Sequence, residues 1–348
     1  MTRPSTAMAE SQAPQPAPLE TRDRVIVAGL GRIGLDYACA LALHTSAELA
    51  GLVEPRTDLR RFARGVGFQA PSEPSLARWL AKRAADTLFV CARAPEAARL
   101  VEQGVEAGLA VLVHGLAAMP ADAVSRIEKA LTSTQRPVAA GSAAMFLPTF
   151  ARARRNGALS PERLQQVRAS ASISRVFSPV VEPEGDVLEF LLADLMLLLD
   201  ASFGPVAAVR ATGQRLYGEW LDECQVEARF ANGLAAKIET SWSVPDYPGA
   251  AMVIEGSGSD GRVIVSDDAL ETDLTAMQGR VVAAGEPSHA RSEGGDAPAV
   301  VAGWLRALAG DDTSAEALSV TRAVRVARVV EAVRQSIAAD GSERGVNP

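Results

Sequence analysis

Residues 24–34, RVIVAGLGRIG, decide how the first half of the chain folds. Arg24 to Leu30 is a short run rich in β-branched residues, and Ile33 to Leu43 (IGLDYACALAL) continues in helix-compatible residues, so the pattern predicts strand, turn and helix. Within it, Gly29-x-Gly31-x-x-Gly34 has one task for each glycine. Gly29 allows the tight turn, Gly31 lets the backbone approach a pyrophosphate, and Gly34 lets the helix pack closely on the strand. Arg32 and Ile33, between the last two glycines, belong to the same expected site.

The next strand, Glu48 to Val53, ends at Glu54, twenty residues after Gly34. An acidic side chain there accepts hydrogen bonds from adenosine ribose hydroxyls, which favours NAD as cofactor. Arg56 is placed to receive the 2′-phosphate of NADP instead, and a solvated loop carboxylate is the plain alternative.

Further strands are expected at Thr87–Cys91, Ala110–Val113 and Pro137–Ala140, with helices at about Pro95–Ala107 and Ala121–Leu131. Strands alternating with helices imply a doubly wound parallel sheet, with its ligand crevice at the strand C-termini. Ala92 to Pro95, including Arg93, and His114 to Ala117 would then line the cofactor site.

From about Leu164 the pattern changes to alternating segments: Val167–Ser174, Val206–Gly213, Gln225–Phe230, Ala235–Trp242, Met252–Glu255 and Val263–Val265. Asn232-Gly233 is a hairpin signal between two of them. The expected class is therefore α/β followed by α+β: a Rossmann domain over residues 21–141, then an open, largely antiparallel sheet domain over 142–341. An amphipathic helix, Ser319 to Ala338, closes the second domain by packing back across both. Residues 1–20, rich in Ala, Pro, Ser and Gln and without an apolar core segment, read as a disordered tail rather than a signal peptide, and 342–348 as a second tail.

The chain has 348 residues, 48% of them hydrophobic, and a net charge of −7, which argues against nucleic acid as a partner. Cys39, Cys91 and Cys224 are too few and too scattered for a disulfide framework or a zinc site, which points to a reducing cytoplasm. The apolar run Val187–Leu199 is shorter than the roughly 20 residues of a membrane span and carries Glu189 and Asp194, so it reads as a buried helix. The only lysines are Lys82, Lys129 and Lys237.

The sequence resembles the glucose-fructose oxidoreductase, inositol dehydrogenase and MocA (Gfo/Idh/MocA) family from Arg24 to about Gly341. The resemblance rests on VIVAGLGRIG with Glu54, EAGLAVLV at 106–113, GSAAMFLPTF at 141–150, and the helix ending Phe203-Gly204. VEARFANGLAAKIE at 226–239 and VVEAVRQSIAADG at 329–341 complete it. It implies an NAD(P)-dependent oxidoreductase acting on a small molecule, assembling as a homo-oligomer through the exposed face of its second sheet.

Family members usually follow the strand matching VLV with Glu-Lys-Pro, whose lysine helps orient substrate and move its proton; here His114, Gly115 and Leu116 stand there. The family's Asp and His, four apart on the substrate-facing helix, correspond to Phe190 and Asp194, which the i,i+4 spacing puts on one helix face. Ala92, Arg93, Ala94 and Ala97 replace a Thr-Pro-Pro run and a His, and Ala144-Met145-Phe146 replaces a frequent Arg before the aromatic. A correctly placed base contributes about a hundredfold to ten-thousandfold to alcohol oxidation, so the proton needs a new carrier.

Candidates are His114 and Asp194, with Arg93 as an anion-binding group. The alternatives are a histidine bonded to loop backbone, a structural carboxylate and a surface salt bridge. His44 and His289 lie away from the motifs, and no metal-ligand constellation is visible. Three readings follow: a divergent oxidoreductase without the usual proton-transfer set, a regulatory or scaffolding relative with or without its cofactor, and an ordinary sugar or polyol dehydrogenase, which would need several groups replaced together.

Overall fold

The computed structural model describes residues 22–173, 185–243, 252–259, 261–266, 269–274, 279–284 and 297–346. The tail at 1–20 and His289 lie outside the described residues. The first half runs β1 (Asp23–Ala28), α1 (Arg32–Leu43), β2 (Ala47–Val53), α2 (Thr57–Gly65), β3 (Ser72–Glu73), α3 (Leu76–Leu80) and β4 (Thr87–Val90). It continues through α4 (Glu96–Glu106), β5 (Ala110–His114), α5 (Ala121–Thr132) and β6 (Val138–Gly141). The six strands pair in parallel in the order β3-β2-β1-β4-β5-β6. The order reverses between β1 and β4, which opens a crevice at their C-terminal ends.

After α6 (Pro148–Arg155) come β7 (Gln166–Ser172), α7 (Ala193–Phe203), β8 (Val206–Gln214), β9 (Glu223–Phe230) and β10 (Ala235–Ser241). Then follow β11 (Met252–Gly258), β12 (Gly261–Ser266), β13 (Ala269–Leu274) and β14 (Gly279–Ala284). The chain ends with α8 (Ala297–Leu308), α9 (Asp312–Ala317), α10 (Val320–Ala338) and β15 (Arg344–Gly345). The second sheet has nine strands in the order β14-β13-β12-β11-β7-β10-β9-β8-β15, antiparallel except for β7 with β10. Strict alternation in β9 and β10 buries Val226, Ala228, Ala236 and Ile238 and leaves Glu227 and Lys237 on the outer face. The Asn232-Gly233 signal is realised: Gly233 has φ +89°, and the Asn232 side chain accepts from Leu234 N and donates to Phe203 O.

Two features differ from the expectation. The segment expected as a C-terminal tail pairs Arg344 and Gly345 with β8 and buries Val346, because Val346 N donates to Ala207 O at the sheet edge. The first sheet is also finished by the far end of the chain. Its α1 face is covered by α8, whose Val300, Val301 and Trp304 pack with Val25, Val27, Tyr37, Phe89 and Leu112. On the other face α10 packs against α5 and against β8 of the second sheet, so it ties the two halves together. Ser319 caps α10 by accepting from Arg322 N.

Between these layers, Asp200 of α7 is bonded by Arg325 Nε of α10 at 2.9 Å, and its carboxylate lies 3.5 Å from Arg322 Nε. The apolar run at 187–199 is a buried helix, but Leu188–Leu192 forms a wide π turn before α7 begins.

Candidate functional site

The three fingerprint glycines occupy three different environments. Gly29 has φ +93°, and a Cβ there would lie 2.7 Å from Ala92 N, because the turn after β1 runs against the end of β4. A Cβ on Gly34 would lie 1.8 Å from the Gly29 carbonyl oxygen, which shows how closely α1 sits on the turn. Gly31 has an ordinary φ of −64° and nothing within 4 Å of its would-be Cβ. No side chain caps the N-terminus of α1, so the first-turn N–H groups around Gly31, Arg32 and Ile33 face open space with the positive end of the helix dipole. That cradle fits a pyrophosphate.

Glu54 is buried at the end of β2, where Oε2 accepts from Leu30 N at 2.8 Å and Oε1 from Arg56 N at 2.9 Å. Each oxygen keeps a second lone pair, so the carboxylate is held in place and still able to accept ribose hydroxyls. Arg56 is exposed and paired with Asp58 at 2.7 Å. On α1, burial raises the pKa of Asp36, partly offset by the Arg32 charge.

At the end of β5, His114 Nδ1 and the Tyr37 hydroxyl share a hydrogen bond of 3.1 Å, and the two rings meet edge to face. Burial pushes the imidazole down to about 4, so it is neutral at pH 7. The unfolded chain takes up this proton near pH 6.5 and the folded one only near 4. Stability from His114 is therefore complete above pH 6.5 and lost as the pH falls to 4, on the order of 2 kcal/mol for a residue that is only half-buried. Urea unfolding between pH 7.5 and 4 should show a shallower acid limb in His114→Gln than in the wild type; equal slopes would contradict this. Gly115 follows with φ +69° and nothing within 4 Å of its would-be Cβ.

Ser142, at the end of β6, donates to Asp194 Oδ1 at 2.7 Å, which brings the α7 carboxylate to the strand ends. Phe190, on the π turn, is 41% exposed, with the Arg93 guanidinium 5.9 Å above its ring and Trp242 5.9 Å away. Both residues expected to share a helix face thus contact the C-terminal edge of the first sheet. Beside them Glu189 has its pKa raised by burial and by Asp186, while Arg334, 3.3 Å away, and Arg93 act in the opposite direction.

Ala144 and Met145 are buried, and Phe146 fills the space beside Gly303 of α8. Lys82 pairs with Glu73, Lys129 lies in the last turn of α5 at the other end of the sheet, and Lys237 faces outward from β10. Among the described residues no group of three or more His, Cys, Asp or Glu is placed to hold a metal ion.

Tyr37, Ser142, Glu189, Asp222 and Trp242 hold or adjoin the candidate groups, and of these only Glu189 was named from the sequence, as a charge within the apolar run. Ser142 directly follows a strand and was open to notice. The others meet their partners across 20 to 145 residues, a pairing that no local pattern reveals.

These two sheets and their crevice define the fold of the NAD-binding oxidoreductases of the Gfo/Idh/MocA type, in agreement with the resemblance carried by the sequence phrases. An oxidoreductase from Agrobacterium radiobacter, solved with NAD+, L-tartaric acid and magnesium, superposes with a TM-score of 0.80 at 17% identity, covering 94% of this chain and 99% of that one. The WlbA dehydrogenase from Bordetella pertussis, in complex with NADH and UDP-GlcNAcA, gives 0.76 at 18% identity over 95% of this chain and 100% of its own. An NAD-binding oxidoreductase from Klebsiella pneumoniae gives 0.76 at 16% over 94% and 99%. No protein-family model and no curated protein sequence matches the chain. Among the described residues no helix is long and apolar enough to cross a membrane.

Proposed function

We propose that the chain is an NAD-dependent oxidoreductase acting on a small molecule, with a proton-transfer set different from the family's usual one. The observation that carries this reading is the open backbone cradle at Gly31 beside an uncapped helix N-terminus, with Glu54 fixed at the neighbouring strand end. Gly29, Gly31, Arg32 and Ile33 would hold the pyrophosphate, Glu54 the adenosine ribose, and Ala92 and Arg93 would border the dinucleotide. Bound NAD supplies a hydride acceptor. The chain's own part is to exclude water, orient the substrate and take up its proton.

Two groups are proposed for that proton. Neutral His114 can accept one through the ring nitrogen not bonded to Tyr37, and Asp194 can accept one on the oxygen not bonded to Ser142. The bonds that Tyr37 and Ser142 make also support the second reading, a relative without catalysis in which both groups are structural. Pairing of two copies through the outer face of the second sheet is part of the proposal, supported by its mixed charges, among them Arg168, Arg210, Glu227 and Lys237. Sedimentation that finds only monomer would remove it.

Energy transfer from tryptophan to bound NADH tests the cofactor. NADH should bind at least tenfold more tightly than NADPH, and Glu54→Gln should narrow that ratio. No binding of NADH at millimolar concentration would overturn the reading. If NADH binds, an activity indifferent to both His114→Ala and Asp194→Asn would reject the proton assignment.

A further inference from the structure

Phe190, Leu216, Tyr217 and Trp220 are exposed at 41%, 48%, 63% and 47%, and all four sit at one end of the second sheet. Large apolar side chains gathered on a built surface mark a binding site more often than chance exposure does. The loop between β8 and β9 that carries three of them is held from inside by Asp222, which is wholly buried. Asp222 Oδ2 accepts from Leu216 N at 2.6 Å and Tyr217 N at 3.0 Å, and Oδ1 accepts from Trp242 Nε1 at 2.6 Å. Arg215 Nε donates to Glu219 O at 2.9 Å and braces the loop along its length. A buried carboxylate fully used in fixing a loop leaves the apolar side chains preorganised rather than frayed.

The loop is also continuous with the crevice. Leu221 O accepts from Val187 N, directly before the π turn that carries Phe190. Trp242, fixed by Asp222, packs against Phe190 with the ring centroids 5.9 Å apart and the planes tilted by 46°, and Phe190 lies beneath Arg93 at the end of β4. Among the described residues, the carboxylates beside this loop are engaged: Asp222 by three donors, and Asp186 and Glu189 by Arg334. A polyol needs acceptors and donors offered to its hydroxyls, whereas a planar ring needs aromatic faces and edges.

We propose that the substrate of this site is a planar aromatic molecule, received against Phe190 and guided by Tyr217 and Trp220. The inference rests on the oxidoreductase reading and deepens it by naming the substrate class.

Calorimetry on the NAD+-loaded protein with naphthalene-2-methanol and with myo-inositol tests it, with NAD+ affinity measured first on the same samples. Naphthalene-2-methanol should bind at least tenfold more tightly than myo-inositol. Phe190→Ala and the double variant Tyr217→Ala/Trp220→Ala should each lower that affinity tenfold while NAD+ affinity holds. Equal or tighter binding of myo-inositol, or naphthalene binding unchanged in both variants, overturns the proposal while the cofactor reading stands. A double variant that alters sedimentation and leaves naphthalene binding intact assigns the patch to a second copy, and also overturns it. Failure of NAD+ to bind overturns the oxidoreductase reading. The naphthalene titration repeated without cofactor then still decides whether the aromatic site exists.

Discussion

Gly34→Ala should lower the melting temperature by roughly 4 °C, while Gly31→Val should melt like the wild type and lose NADH binding by about a hundredfold. The two residues share a motif but differ in what surrounds them. A Cβ on Gly34 would meet the Gly29 carbonyl oxygen at 1.8 Å and its carbon at 2.9 Å. These are backbone atoms and cannot rotate away, so α1 must lift from β1, at the upper end of overpacking costs, about 3 kcal/mol. Gly31 has an ordinary φ and nothing within 4 Å, so a valine there strains nothing in the folded chain. Its methyl groups would occupy the space left for the pyrophosphate. Thermal unfolding and NADH titration of both variants check the pair. A wild-type melting point for Gly34→Ala, or wild-type affinity for Gly31→Val, would show that the glycines are not divided in this way.

Asp200→Ala should destabilise the chain by about 3–5 kcal/mol, because it leaves the guanidinium groups of Arg322 and Arg325 facing each other without their carboxylate. The Asp200 side chain is 2% exposed, and those of Arg322 and Arg325 are 12% and 28% exposed. Arg322 keeps Glu316 at 2.9 Å, so most of the loss falls on Arg325. The variant Asp200→Leu/Arg325→Met removes charge from both sides and should recover at least half of the stability. Urea denaturation measures both. A loss below about 1 kcal/mol in Asp200→Ala would mean that the group is hydrated and carries little of the contact between α7 and α10.

The sequence revealed what local periodicity encodes and hid what distant contacts create. RVIVAGLGRIG read correctly as strand, turn and helix because β-branching, glycine spacing and helix propensity all agree within eleven residues. Gly233 was legible because only a left-handed position explains Asn-Gly between two alternating runs. The π turn at Leu188–Leu192 was not, since an apolar run looks the same in either helix type. β15 was missed because two residues paired at an edge carry no period of their own. At the site, the spacing of Phe190 and Asp194 suggested a shared helix face, but the π turn that carries Phe190 was not legible. The bonds from Ser142 and Tyr37 that fix Asp194 and His114 required the folded chain.

The way α8 completes the first sheet has a consequence for synthesis. As the chain leaves the ribosome, β1 to β6 emerge within the first 141 residues, yet the surface of Tyr37, Phe89 and Leu112 stays open to water until Val300 and Trp304 follow. At about 5–20 residues per second, that interval lasts on the order of ten to thirty seconds. During it the first half of the chain is a sheet with one bare face, exposed to chaperones and to other nascent chains.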